Sequence, residues 1–149
     1  VAHPSDLVLI TNRQYGESNV AGYVSAWRPV AAVSRLAVLV DNPSTSDDAM
    51  ACLTRVSVGG EHTGERGTPR DQAFRRDDLV AAAEQIPGVT LIDLSRFYCD
   101  ADRCPSVVGN VIVYRDNKSD GNSHITATFM TTLAPTVEAA LRQALSTPR

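Results

Sequence analysis

Four short apolar runs constrain this chain more than any other feature. They are Asp6–Thr11 (DLVLIT), Leu36–Val40 (LAVLV), Val89–Leu94 (VTLIDL) and Asn110–Tyr114 (NVIVY). None alternates polar with apolar residues, so each predicts a strand buried on both faces. Such strands pair in parallel, and parallel neighbours need long crossover connections. The intervening stretches supply them. Val20, Val24, Trp27 and Ala31 share one helical face, and Pro29 is expected to kink that helix or end it early. Asp47 to Arg55 is a short helix candidate. Asp71 to Ile86 predicts a longer helix, with Leu79, Val80, Ala83 and Ile86 as its apolar stripe and Pro87-Gly88 as its stop. A last helix carries Ile125, Phe129, Leu133, Val137, Leu141 and Leu145, with Pro135 expected to bend or split it. This order predicts an α/β protein, a three-layer α/β/α arrangement on a mostly parallel sheet, in a single domain over residues 1–149.

Composition removes several function classes. The chain is 43% hydrophobic and 21% charged, with net charge -3. It has no basic stripe to neutralise phosphates, so nucleic acid is not an expected partner. Basic and acidic residues are interspersed, as in Arg75-Arg76-Asp77-Asp78, which reads as a solvated helix face. No apolar run is long enough to span a bilayer, because Pro29 to Val40 is broken by Ser34 and Arg35. Val1-Ala2-His3-Pro4 lacks the basic start and apolar middle of a signal peptide. Gly59 to Arg70 is rich in glycine and charge without periodicity and predicts an exposed loop. It has no phosphate-cradling motif, and His62 within it reads as a solvated loop histidine.

The cysteines are Cys52, Cys99 and Cys104. Cys99 and Cys104 bracket a four-residue loop that a disulfide closes if the two Cα atoms come within bonding range. Metal binding is the rival, but no histidine accompanies the pair, which favours the disulfide. A disulfide implies an oxidising compartment. Cys52 is then either a buried free thiol or the partner of a cysteine upstream of residue 1. No metal or other cofactor is expected.

In open parallel sheets, ligands bind past the carboxyl ends of the strands. That rule selects Thr11-Asn12-Arg13, Asp41-Asn42, Ser95-Arg96 and the stretch Asp116 to His124. His124 is expected near the amino end of the last helix, with Ser123 as its cap. Asp116 and Asp120 are close in sequence. An aspartate that orients an imidazole, which then takes a proton from a hydroxyl, is the logic of a serine triad. Taken on spacing alone, a histidine beside a capped helix is more often structural.

The residues themselves carry a resemblance. Val111-Ile112-Val113-Tyr114-Arg115-Asp116, His124-Ile125-Thr126-Ala127-Thr128-Phe129 and Leu133-Ala134-Pro135 resemble the end of the SGNH domain (GDSL-like) fused to membrane acyltransferases of the acyltransferase-3 family. Cys99, Cys104-Pro105 and Gly109-Asn110 resemble the same family, as do Ser5-Asp6-Leu7-Val8-Leu9 and Asp41-Asn42-Pro43 followed by Cys52. The likeness follows most of the chain in order and is specific over about residues 97 to 136.

The resemblance implies an SGNH-hydrolase-like (flavodoxin-like) fold, with His124 as catalytic base and Asn12 as an oxyanion-stabilising residue. The family's acid lies three residues before the histidine, where this chain has Gly121. Asn117 to Asn122 looks like an insertion, so Asp116 and Asp120 both stand as candidates for the acid. The family's Gly-Asp-Ser nucleophile block has no counterpart here. Gly16-Glu17-Ser18 is the closest match and reads as a helix cap. The chain is therefore expected to be the carboxyl-terminal portion of a longer protein, lacking the first strand and the serine, and inactive alone.

The implied function is extracytoplasmic O-acylation, with O-acetylation favoured, of a cell-surface glycan or glycolipid. The implied partners are a membrane acyltransferase domain of the same polypeptide and the glycan acceptor. The implied location is the periplasmic or cell-envelope side, with the parent in the inner or plasma membrane. The alternatives are an esterase or deacetylase of the same fold, and a non-catalytic module that binds glycan or a partner. Asn117-Lys118-Ser119 also matches a glycosylation acceptor.

Overall fold

The computed structural model describes residues 5–12, 17–57, 67–117 and 123–146. The elements in chain order are β1 Leu7–Ile10, α1 Val20–Ala31, β2 Arg35–Leu39, α2 Asp47–Ser57, β3 Thr68–Pro69, α3 Arg70–Ala73, α4 Asp78–Ala83, β4 Thr90–Ile92, α5 Ser95–Tyr98, β5 Arg103–Cys104, β6 Val107–Val108, β7 Val111–Ile112, β8 Tyr114–Asn117, β9 Ser123–Ile125 and α6 Ala127–Ser146. They fall into two compact units. One comprises residues 1–41, 76–93 and 135–149; the other comprises 42–75 and 94–134.

The first unit holds the parallel sheet, in the order β1-β2-β4. Val8 pairs with Leu36 and Ile10 with Val38, so these four apolar side chains share a face. That face packs on α1 and α4 through Val24, Trp27, Leu79, Ala82 and Ala83, and on Ile86 just past α4. Each such large apolar side chain contributes about 1.5–3 kcal/mol by leaving water. Three of the four expected strands and the α1 crossover are therefore present. Pro29 lies inside α1 without ending it. It sits in the last turn, where its missing N–H forfeits a single backbone bond.

The stretch Arg75 to Asp78 departs from expectation. The expected helix over 71–86 is two helices, because Phe74 is extended (φ -94, ψ 133). Asp77 then opens α4 as its N-cap, accepting from the Leu79 N–H at 2.8 Å. Asp78 is not on a solvated face but is 1% exposed. Its carboxylate accepts from the Asn19 N–H at 2.6 Å and the Ser18 hydroxyl at 3.0 Å, and faces Arg76 at 3.2 Å. A carboxylate can be buried only when it is hydrogen-bonded and paired in this way. Ser18 therefore anchors the entry to α1, and the cap itself is Asn19, which accepts from the Gly22 N–H.

The second unit holds three antiparallel pairs: β3 with β5, β6 with β7, and β8 with β9. The expected fourth parallel strand is absent from the described sheet. Gly109 and Asn110 both have positive φ, 54° and 65°. Two such residues form the tight turn that joins antiparallel strands, so Val108 pairs back on Val111 and the apolar run is cut. The end of the Gly59–Arg70 stretch is also structured. Gly67 has φ 68°, and a Cβ there would lie 2.3 Å from the Cys104 carbonyl oxygen, so only glycine allows this approach. His62 lies outside the described residues. The unit's interior includes Tyr98 and Phe129, with ring centroids 5.2 Å apart, and the buried Cys104, Val113 and Leu133. The last helix begins at Ala127, later than the periodicity predicts. Thr126 is its cap, accepting from the Phe129 N–H at 3.2 Å while donating to the Ile112 carbonyl at 2.6 Å. The helix runs unbroken through Pro135.

Candidate active site

β8 and β9 place two sequence candidates side by side. In their antiparallel register Asp116 is opposite His124, and Asn117 is opposite Ser123. The His124 Nδ1 lies 2.6 Å from Asp116 Oδ1, and the His124 N–H reaches the same oxygen at 3.3 Å. Arg115 Nε donates to Asp116 Oδ2 at 3.1 Å. Both carboxylate oxygens are thus engaged, one by the imidazole and one by a guanidinium. The His124 and Asp116 side chains are 37% and 33% exposed. The ring is therefore held by its Nδ1 edge and remains accessible to solvent. Asp116 is pulled below the ordinary carboxylate range, chiefly by the His124 hydrogen bond, against an opposing contribution from burial and with help from Arg115.

The register of β8 and β9 sets this pair whatever the length of chain between the strands. Asn117 and Ser123 are tied to each other across its base, the Ser123 hydroxyl donating to Asn117 Oδ1 at 3.2 Å. Residues 118–122 lie between these two positions, and Asp120 is among them, outside the described residues. The chain length between paired positions of an antiparallel ladder does not separate the pairs. His124 belongs to β9 and not to the start of the last helix. Ser123 is not a helix cap but is 2% exposed and lies in the same strand.

The other candidates behave differently. Asn12 belongs to the first unit, just past β1, and its Nδ2 donates to the Tyr23 hydroxyl at 2.7 Å. One of its two amide hydrogens is thus committed. Asn42 Nδ2 donates to the Ser123 carbonyl at 3.1 Å. Ser95 and Arg96 open the short helix α5, where the Arg96 guanidinium lies 4.8 Å from the Phe97 ring centroid. The Asn117 Nδ2, the atom a glycan would use, donates to Asp47 Oδ1 at 2.7 Å. Sequence reasoning missed Arg115, Thr45 and the structural role of Ser123. Arg115 had a signal in being adjacent to Asp116. Thr45 had none, since it acts through its backbone N–H, which donates to Ser123 Oγ at 2.8 Å.

Cys99 and Cys104 form a disulfide. Asp100 closes the loop between them, accepting from the Asp102 and Arg103 N–H groups at 2.8 and 2.7 Å. These two backbone bonds, the Arg103 one foremost, hold its carboxyl below the usual range. Cys52 is a free, half-buried thiol. Among the described residues no cluster of three or more His, Cys, Asp or Glu side chains is arranged to hold a metal. No helix among them is long and apolar enough to cross a membrane.

A parallel sheet with helical crossovers, together with an aspartate-bound histidine late in the chain, defines an α/β protein of SGNH-hydrolase-like fold. Residues 6–139 match the family described as the SGNH domain (fused to AT3 domains), and the chain belongs to that family. No curated protein and no solved structure matches it.

Proposed function

We propose that this chain is the extracytoplasmic part of a membrane-anchored O-acyltransferase, and that His124 and Asp116 are two members of its Ser-His-Asp triad. The observation that carries the reading is the 2.6 Å bond between His124 Nδ1 and Asp116 Oδ1. That bond fixes the ring orientation and leaves Nε2 to accept a proton. The family's fusion to AT3 domains supports an acyl donor delivered by a membrane domain. The disulfide supports an oxidising, extracytoplasmic location.

In this mechanism the serine lies on polypeptide outside these residues. Its hydroxyl attacks the acyl carbonyl while His124 Nε2 takes the proton, and Asp116 stabilises the imidazolium. The donor's leaving group departs with that proton, giving an acyl-serine. A glycan hydroxyl then attacks the acyl-serine, passes its proton to His124, and leaves as the O-acyl ester with serine restored. Acetyl is the favoured acyl group.

The test is acceptor acylation by the full parent protein carrying His124→Ala. Transfer should fall by at least about 10³-fold while the fold is retained. Unchanged transfer removes His124 from the mechanism. Release of free acid with no acylated acceptor in the unmodified parent identifies the hydrolytic alternative instead.

A further inference from the structure

The strand that carries His124 is gripped from the side by the segment that follows β2, and the grip closes on one buried hydroxyl. Ser123 Oγ accepts the Thr45 N–H at 2.8 Å and donates to Asn117 Oδ1 at 3.2 Å. The Ser123 carbonyl accepts from Asn42 Nδ2 at 3.1 Å. Asn117 in turn donates to Asp47 Oδ1, at the first residue of α2. Thr45 and Ser123 are buried, at 4% and 2% exposure. Residues 42 to 47 thereby fix both the carbonyl and the side chain of the residue preceding His124. The next peptide N–H, that of His124, is fixed by Asp116.

We infer that Ser123 is a positioning residue: its hydroxyl, held by Thr45 and Asn117, sets the backbone of β9 so that the His124 ring meets Asp116. The inference rests on the reading of His124 and Asp116 as base and orienting acid. A buried serine with one donor and one acceptor in place resists rotation, because leaving either partner unsatisfied costs free energy. Asp116 keeps its short bond to Nδ1 only while β9 stays in register, since a small shift of either strand opens a bond of this length. The groups paired with the Asp116 carboxylate among the described residues are the His124 imidazole and the Arg115 guanidinium. The Ser123 hydroxyl bonds to Thr45 and Asn117, and Ser123 acts on His124 through the backbone alone.

The experiment is carbon-detected NMR titration of the Asp116 carboxyl in the 149-residue chain. A group whose lowered value depends first on the His124 bond reports on that bond directly. In Ser123→Ala the Asp116 pKa should rise toward the ordinary carboxylate value, with the circular-dichroism spectrum unchanged. A folded Ser123→Ala variant with an unmoved Asp116 pKa overturns the inference and leaves Ser123 a packing residue. If Ser123→Ala does not fold, Asn117→Ala, at a half-buried position, decides in its place. A rise in the Asp116 pKa there supports positioning, and no rise overturns it. This readout does not involve catalysis. Failure of the acyl-transfer reading appears separately, as transfer retained by His124→Ala in the parent.

Discussion

Asp116 collects three hydrogen bonds from two residues, and the side chain of Arg115 is the one most easily removed. Arg115 is 65% exposed at its side chain, so its loss leaves no buried charge behind. In Arg115→Gln the Asp116 carboxyl loses a cation and a donor while keeping His124, and its pKa should move up but stay below the ordinary value. The sign of the pH dependence follows. A carboxyl lowered in the folded state adds stability above its unfolded value, near 4, and loses it as the pH falls through the folded value. Arg115→Gln should therefore narrow the acid range of the Asp116–His124 pair from below. Carboxyl titration by NMR checks this, and a folded variant with an unmoved Asp116 pKa rules it out. At this scale the sequence named His124 with Asp116 and Asp120 as its candidate acids, because chemistry restricts which side chains can orient an imidazole. The contact of His124 with Asp116 was not legible, because eight positions of chain separate them and only strand pairing brings them together. Asp120, the other candidate, lies outside the described residues. The role assigned to Ser123 failed for a related reason. A serine before an apolar periodic run reads as a cap, and here Thr126, three residues later, does that work.

Elements were legible where one physical signal dominated. β1, β2 and β4 are rich in apolar residues and have no competing turn residues, so they form the parallel sheet as expected, although Leu9 and Leu91 are exposed and β1 and β4 are not buried on both faces. Asn110–Tyr114 has the same apolar character, but Gly109 and Asn110 outweigh it by supplying two left-handed positions in succession. The helix expected over 71–86 failed because Asp77 satisfies a new amino terminus better than it continues an old one. Thr126 shows how much one cap can organise. Its hydroxyl joins the start of α6 to the end of β7 through Phe129 and Ile112. Thr126→Ala removes both bonds and should cost about 1–2 kcal/mol. For a chain of this size that lowers the melting temperature by roughly 5 °C. Thr126→Ser keeps the hydroxyl and should recover most of the loss. Equal melting temperatures for the alanine and serine variants would show that the methyl group, and not the cap, matters.

For the whole molecule, the polypeptide passes between its two units at residues 41/42, 75/76, 93/94 and 134/135, so neither unit is a contiguous piece of chain. The family match over residues 6–139 spans segments of both. A cross-link placed in such a chain acts on its overall folding equilibrium, since the denatured state it restricts is that of the entire polypeptide. Cys99–Cys104 closes a short loop, for which loop entropy predicts stabilisation on the order of 2 kcal/mol. That is about a 30-fold change in the ratio of folded to unfolded chain, enough to decide whether a marginal domain persists. Replacing both cysteines with serine should therefore lower the melting temperature by roughly 4–8 °C. A thiol reductant should lower the melting temperature of the unmodified chain by a similar amount and leave the double variant unaffected. Cys52→Ser supplies the control. Cys52 is free and half-buried on α2, so its replacement should preserve the response to reductant. Calorimetry of the three proteins with and without reductant separates the possibilities. If reductant lowers the double variant as much as the unmodified chain, the stabilising thiol chemistry lies elsewhere and the argument for an oxidising compartment loses its support.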